Sequence, residues 1–197
     1  GSLGLISGGA AGDVSPKVGR LVEIAHSNAA RLVRLINDIL DIEKIEAGRM
    51  PFDIRPLALA PILDEAMHQM AGFAREYGVT IRIEPLASDT AVLADEDRLM
   101  QVVSNLLSNA IKFSPRGEIV KVRVTALDRR SRISITDRGA GIPQAFRSRI
   151  FGKFAQADAS DSRQKGGTGL GLSIVREIVV RLGGSVSFES EEGKGTV

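Results

Sequence analysis

The sequence predicts an α+β chain: a long helix followed by a two-layer α/β sandwich, in which helices cover one face of a mostly antiparallel mixed sheet. Three observations carry this expectation. Residues Lys17 to Ala47 hold an unbroken heptad seam. Beyond Pro51, several short stretches alternate apolar and polar residues, as strands with one buried face do. Between these strands lie segments of helical period, of which Leu99 to Pro115 is the strongest.

Composition sets the outer bounds. The chain has 197 residues, 43% hydrophobic and 25% charged, with a formal net charge of +2. That allows one or two globular domains with a real core. No run approaches the roughly 18 apolar residues of a membrane span, and no signal-peptide pattern is present, so no membrane contact is expected of this segment. The absence of cysteine removes disulfides, zinc–thiolate sites and cysteine nucleophiles, and fits a reducing compartment. A net charge near zero gives no case for nucleic acid.

The elements follow in order. Gly1 to Ser15 is small and weakly apolar, and Asp13-Val-Ser-Pro16 reads as a turn into a helix with proline near its first position. In that helix Leu21, Ala25, Asn28, Leu32, Leu35, Ile39 and Ile42 follow a 4-3 spacing. Val22, Ala29, Ile36 and Leu40 widen the seam into a bundle face. Such a face needs a preceding helix, a second subunit or both, and Asn28 within it can fix register. His26 has no acid after it and reads as a partly exposed helix residue; His68 reads as helix surface. Gly48-Arg-Met-Pro51 breaks the helix and marks the domain boundary, and Arg55-Pro56 delays the next element. Leu59 to Tyr77 is helical, with Ile62, Leu63, Ala66, Met70 and Phe73 on one face. Strands are expected at Thr80–Glu84, Ala91–Ala94, Ile119–Leu127, Arg132–Thr136 and Ser185–Ser190.

The central helix carries Leu99, Val102, Val103, Leu106, Leu107 and Ala110 on its apolar stripe. Asp95 is placed to cap it, Glu96 and Asp97 sit in its first turn, and Ser114-Pro115 ends it. Asn105, Asn109 and Lys112 share its polar face. An amide oxygen suits Mg²⁺ and a lysine suits phosphate, while a plain solvated face is the alternative. After the strand ending at Thr136 comes Asp137-Arg-Gly139-Ala-Gly141-Ile142: an acceptor carboxylate suited to an exocyclic amine, then two glycines that permit close backbone approach to a flat ligand. A short helix is expected over Pro143–Ile150, and Phe151 and Phe154 then either hinge a lid or enter the core. Ala155 to Lys165 is polar and aperiodic, with the length of a functional loop. It runs into Gly166-Gly-Thr168-Gly169-Leu170-Gly171-Leu172 at the start of a helix, where backbone N–H groups meet anions. No Gly-x-x-x-x-Gly-Lys-Ser/Thr can be placed there, and Leu172 occupies the place of the third glycine of a dinucleotide fingerprint.

Taken together and in this order, these stretches resemble the boxes of the catalytic ATP-binding domain of bacterial sensor histidine kinases, in the superfamily of Hsp90, gyrase B and MutL ATPases. Residues 53–197 carry the resemblance. Asn105-Leu-Leu-Ser-Asn109-Ala110 is similar to the asparagine box, Asp137 to Gly141 to the first glycine box, Phe151 to Phe154 to the phenylalanine box, and Gly167 to Gly171 to the second glycine box. Residues 17–49 resemble the second helix of the dimerisation and phosphotransfer hairpin, and Gly1 to Gly12 the tail of its first. The resemblance divides the chain into a hairpin segment, 1–49, and an ATP-binding domain, 50–197.

The resemblance implies ATP and Mg²⁺ as ligands. Asp137 then accepts from the adenine amine, with Gly139, Gly141 and Ile142 beside it. Asn109 is the metal ligand, supported by Asn105; Lys112 contacts phosphate and Phe113 packs near the nucleotide. Gly167, Thr168, Gly169, Leu170 and Gly171 lie along the triphosphate, and Lys165, or Arg163, adds charge. It further implies γ-phosphate transfer to a histidine and on to a response-regulator aspartate, a homodimer through the hairpin helices, and a cytoplasmic location, an inner-membrane anchor elsewhere in a longer protein remaining open. Two departures stand out. The family's acceptor, His followed by Glu or Asp, is absent, and the chain stops at Gly193-Lys-Gly-Thr-Val197 where the family supplies a further strand. A fragment of a longer kinase is expected on this basis, with an ATP-binding scaffold that has lost transfer as the alternative.

Overall fold

The computed structural model describes residues 2–7, 12, 14–85, 90–156 and 167–197. The chain divides into two compact units, Gly1–Gly48 and Arg49–Val197, one residue from the boundary drawn on the sequence. In the first, a short helix α1 (Ser2–Ser7) packs on the long helix α2 (Pro16–Glu46). A Cβ placed on Gly4 would stand 3.8 Å from His26 Nε2. Ser15 starts α2 by accepting the Val18 N–H at 3.4 Å, and Pro16 stands where the missing N–H would have had no partner. Gly48, at φ +64°, ends it. Leu21, Leu32, Ile36, Ile39 and Leu40 of its apolar face are exposed in the single chain.

The second unit runs β1 (Arg55–Ala58), α3 (Leu59–Tyr77), β2 (Thr80–Ile83), β3 (Ala91–Ala94), α4 (Glu96–Phe113), β4 (Ile119–Leu127), β5 (Arg130–Thr136), α5 (Gln144–Arg147), α6 (Gly171–Arg181), β6 (Ser190–Glu191) and β7 (Gly195–Thr196). It is α+β as expected, mixed and mainly antiparallel: β2 and β4 are parallel, while β1–β3, β4–β5 and β6–β7 are antiparallel. These pairings form a three-stranded group, β2-β4-β5, and two ribbons.

β1 was not foreseen. Arg55-Pro56 reads as a break, yet Pro56 is tolerated because, among the described residues, β1 pairs with β3 alone and has no central-strand ladder to disrupt. The expected strand Ser185–Ser190 is corrected to the two residues of β6. Its alternation is real, since Val186, Phe188 and Ser190 are half-buried and their neighbours exposed. Next to β6 the main chain of Glu189 still exchanges hydrogen bonds with Val197, at 3.0 and 2.8 Å, and farther back the inward side chains find tertiary contacts: the Phe188 ring lies 6.0 Å from that of Phe151. α5 is likewise shorter than the expected Pro143–Ile150, and turns carry the chain on to Phe154.

One core unites the two layers. α3 gives Leu59, Ile62, Leu63 and Ala66; α4 gives Leu99, Val103, Leu107, Ala110 and Ile111; β4 gives Val120 and Val122. Each such aliphatic chain contributes about 1.5–3 kcal/mol when fully buried. Leu106, expected on the stripe, is only half-buried, while Ile111 is wholly inside. α6 adds the fully buried Ile174, Val175 and Ile178.

Candidate functional site

α4 fixes the first part of the site, and its ends are fixed by capping. Asp95 Oδ1 accepts the Arg98 N–H at 3.0 Å and Oδ2 the Asp53 N–H at 2.7 Å. Burial is the strongest influence and works against the charge of this carboxyl, but the N–H groups of Arg98, Asp53 and Asp97 and the Arg98 charge together hold it below the usual carboxylate range. At the far end the Ser114 hydroxyl donates to Ala110 O at 2.7 Å. With Val103, Leu107 and Ala110 locked in the core, the opposite side of the helix presents Asn105, Asn109 and Lys112, all half-buried. Phe113, the last helical residue, is 51% exposed.

Asp137 sits at the end of β5, 9% exposed. Its Oδ1 accepts the Gly139 N–H at 2.8 Å. Burial is the strongest influence and raises the carboxyl above its ordinary value, against the pull of the Gly139 and Thr196 N–H groups. Its backbone pairs with Thr196 in both directions, at 2.9 and 3.3 Å.

The two glycines that follow do different work from the one expected. A Cβ on Gly139 would collide with the Phe113 carbonyl, and one on Gly141, which has φ +72°, with the carbonyl of Glu191. Their bare faces meet protein backbone. They let the Asp137 loop lie against the end of α4 on one side and the β6–β7 turn on the other. Ile142 donates its N–H to Ser190 Oγ at 2.8 Å.

The glycines before α6 show a similar division. Gly171, first residue of α6, lies against Asn105: a Cβ there would stand 3.1 Å from Asn105 Oδ1. Gly169, at φ +72°, lies against the backbone of Phe154, where a Cβ would come within 2.9 Å. Among the described residues nothing stands within 4 Å of where a Cβ on Gly167 would be. Leu170 turns inward. Its side chain is fully buried, and its N–H goes to Thr168 Oγ1 at 3.2 Å. It anchors the start of α6, whose first turn has no side-chain cap. The two phenylalanines separate: Phe151 packs on Phe188, and Phe154 is 63% exposed at φ 57°. Lys165 and Arg163 lie outside the described residues.

The structure thus links all four stretches through three contacts, with Gly139 on Phe113, Gly171 on Asn105 and Gly169 on Phe154. The participant sequence reasoning missed is the hairpin Ser190–Thr196. The signal was Gly193-Lys-Gly195-Thr: Gly195, at φ +108°, has no room for a Cβ beside the Asp137 carbonyl. Among the described residues no cluster of three or more His, Cys, Asp or Glu side chains is placed to hold a metal. The hard oxygens of Asn105 and Asn109 are the donors that fit Mg²⁺, a cation that keeps most of its waters and shares substrate oxygens.

Residues 94–197 match the family described as histidine kinase-, DNA gyrase B- and HSP90-like ATPases. The chain is 40% identical over 175 residues to the signal transduction histidine-protein kinase BarA of Escherichia coli K12, covering 86% of this chain and 19% of BarA. It is 34% identical over 187 residues to the circadian input-output histidine kinase CikA of Synechococcus elongatus, covering 94% of this chain and 25% of CikA. The chain therefore spans a quarter or less of the length of these curated relatives. The crystal structure of full-length ShkA in complex with AMPPNP superposes with a TM-score of 0.76 at 31% identity, covering 94% of this chain and 38% of ShkA. No helix among the described residues is long and apolar enough to cross a membrane. With an Asp-x-Gly-x-Gly loop, an asparagine helix and a glycine-led helix start joined on this scaffold, the chain belongs to the histidine kinase-, DNA gyrase B- and HSP90-like ATPase family.

Proposed function

We propose that the chain is the ATP-binding catalytic core of a histidine protein kinase in two-component signalling. It transfers the γ-phosphate of ATP to a histidine, from which an aspartate of a response-regulator receiver domain takes it. The buried Asp137 carboxylate carries this reading. An ionised carboxylate has about four acceptor positions, and the Gly139 N–H at 2.8 Å leaves capacity for the exocyclic amine of adenine. The likeness to BarA and CikA, both named histidine kinases, supports the activity, and the AMPPNP in the ShkA structure supports the nucleotide.

Within this reading each residue has a task. Asp137 selects adenine. Phe113, exposed at the end of α4, lies along the nucleotide. Asn109, assisted by Asn105, holds Mg²⁺, which when bound neutralises phosphate charge, and Lys112 adds a positive charge to the same oxygens. The Gly167–Gly171 segment and the uncapped first turn of α6 offer backbone N–H groups and the positive end of the helix dipole to the triphosphate. Transfer to an imidazole then rests on positioning and electrostatics and requires no covalent intermediate on this domain. The first unit provides the homodimer: the exposed apolar face of α2 is the surface a helical bundle would cover. The core works in the cytoplasm, where ATP is supplied.

The alternative is an ATP-binding scaffold without transfer. The two histidines, His26 and His68, are followed by Ser27 and Gln69, so neither has the adjacent carboxylate that orients an acceptor imidazole. The deciding experiment combines calorimetry with Mg-ADP and a transfer assay using radiolabelled ATP and a histidine-bearing hairpin from the full-length parent. Binding with acid-labile labelling of the hairpin is expected. Tight binding without transfer supports the scaffold; no binding overturns both.

A further inference from the structure

We infer that Ser190 is a positioning residue for base recognition: its hydroxyl staples the β6–β7 hairpin to the loop that carries Asp137, and so fixes the acceptor carboxylate before nucleotide arrives. The inference rests on the adenine site proposed above.

The loop and the hairpin approach each other backbone to backbone, which only glycine permits at Gly141 and Gly195. Around Asp137 itself they are joined by main-chain bonds: the reciprocal pair with Thr196, and the Gly193 N–H donated to Ala140 O at 2.8 Å. Beyond Ala140 the loop no longer runs alongside a strand, and its N–H groups turn to side chains. Ile142 gives its N–H to Ser190 Oγ at 2.8 Å, and Gln144 gives its own to Glu192 Oε1 at 2.9 Å. The carboxylate of Glu192 is solvent-exposed and water can replace it.

Ser190 is half-buried, and its hydroxyl is saturated. It donates to Gly195 O at 3.0 Å and lies 2.9 Å from Thr196 Oγ1. With its one proton on Gly195 O, the Thr196 hydroxyl donates to Ser190 Oγ, and the Ile142 N–H fills the second lone pair. One donor and two acceptors are all that a hydroxyl has. All three bind residues of the segments that hold Asp137: Gly195 and Thr196 flank its main chain, and Ile142 closes the loop behind Gly141. Removing the hydroxyl leaves the Ile142 N–H and the Gly195 carbonyl without this partner. The hairpin can then shift against the loop, and an acceptor displaced by a fraction of an ångström loses its aim on an amine.

The test compares the unsubstituted chain with Ser190→Ala, which removes the hydroxyl, and Ser190→Thr, which retains it. Calorimetry with ADP and with GDP reads the base preference, and thermal melting reads the fold. Ser190→Ala is expected to weaken ADP about tenfold, the size of one lost buried hydrogen bond. GDP, which lacks the exocyclic amine of adenine at that position, should change little, so the ADP-to-GDP preference collapses. Ser190→Thr restores the preference. Amide exchange of the nucleotide-free chain should show faster exchange at Ile142 in the alanine variant alone. Unchanged ADP affinity in Ser190→Ala, or equal losses for ADP and GDP with a lowered melting temperature, would make Ser190 an ordinary packing residue and overturn the inference. In either case the base site stands, because the unsubstituted chain still prefers ADP. Absence of that preference in the unsubstituted chain overturns the site and the staple together.

Discussion

Asp137 is under two opposed demands, and each yields a measurable outcome. As an adenine acceptor it needs to be a carboxylate, so Asp137→Asn should weaken Mg-ADP by tenfold or more, about 1.5–3 kcal/mol for one charge-assisted contact replaced by a wrong donor. As a buried acid it burdens the fold. Its carboxyl is raised above the ordinary value, chiefly by burial. Between the ordinary and the raised value the folded chain therefore holds more protons than the unfolded one. Stability falls as pH rises through that window, and the cost is fully present above it. The nucleotide-free Asp137→Asn chain should melt higher at neutral pH, with the gap closing on acidification. An affinity loss without that gain would mean that burial is not what raises the group. Asn109→Ala makes the complementary case. ADP binding without magnesium should change little, while phosphoryl transfer with magnesium falls sharply; equal losses in both would remove the metal role. Asp137, Asn105 and Asn109 could be picked out as candidates in the sequence because a carboxylate before Gly-x-Gly and two amides on one helix face are chemistry that few other residues supply. What the glycines beside Asp137 touch was not legible, since a glycine facing a ligand and a glycine facing a carbonyl are written with the same letter.

At the scale of elements, the long periodic segments could be read almost to the residue. α3 and β4 begin and end where their patterns do, because many side chains vote for one face. Short elements have no such redundancy. β1 was hidden by Pro56, and the bounds of β6 by Val186 and Phe188, which alternate although they lie outside it. The contrast between glycines is a test at this scale. Gly141→Ala should cost the nucleotide-free chain several degrees of melting temperature, through its left-handed φ of +72° and the Glu191 carbonyl in the way. Gly167→Ala should leave melting unchanged, since no described residue stands within 4 Å of the added carbon. If both melt alike, the packing of loop on hairpin is not what those glycines serve. α2 supplies a second test. Leu35→Glu places a charge in the middle of the heptad seam, and it should dissociate any dimer seen by sedimentation at micromolar concentration. An undisturbed dimer would put the interface elsewhere.

At the scale of the whole chain, neither of its two histidines is followed by an acid, and its behaviour with labelled ATP follows from that. Incubated alone, the chain should remain unlabelled. His26 and His68 lack an adjacent carboxylate, and in-line attack needs the reacting atoms about 3–3.5 Å apart. Acid-labile label on His26 would show that α2 carries its own acceptor. The fold class was legible because helix and strand periods are global properties of the sequence. The closure of the site was not, because it depends on contacts between residues far apart in the chain, which no local pattern encodes. That distance has a consequence in time. The Ile142–Ser190 bond spans 48 residues, and pairings of such separation form late because a long loop must be closed first. During synthesis, α3, α4 and the β4–β5 ribbon emerge and can collapse together while the Asp137 loop still lacks its backing. The nascent chain should therefore acquire a folded core well before it acquires any selectivity for a base, and ribosome-stalled chains ending at residue 184 should resist protease yet ignore ATP.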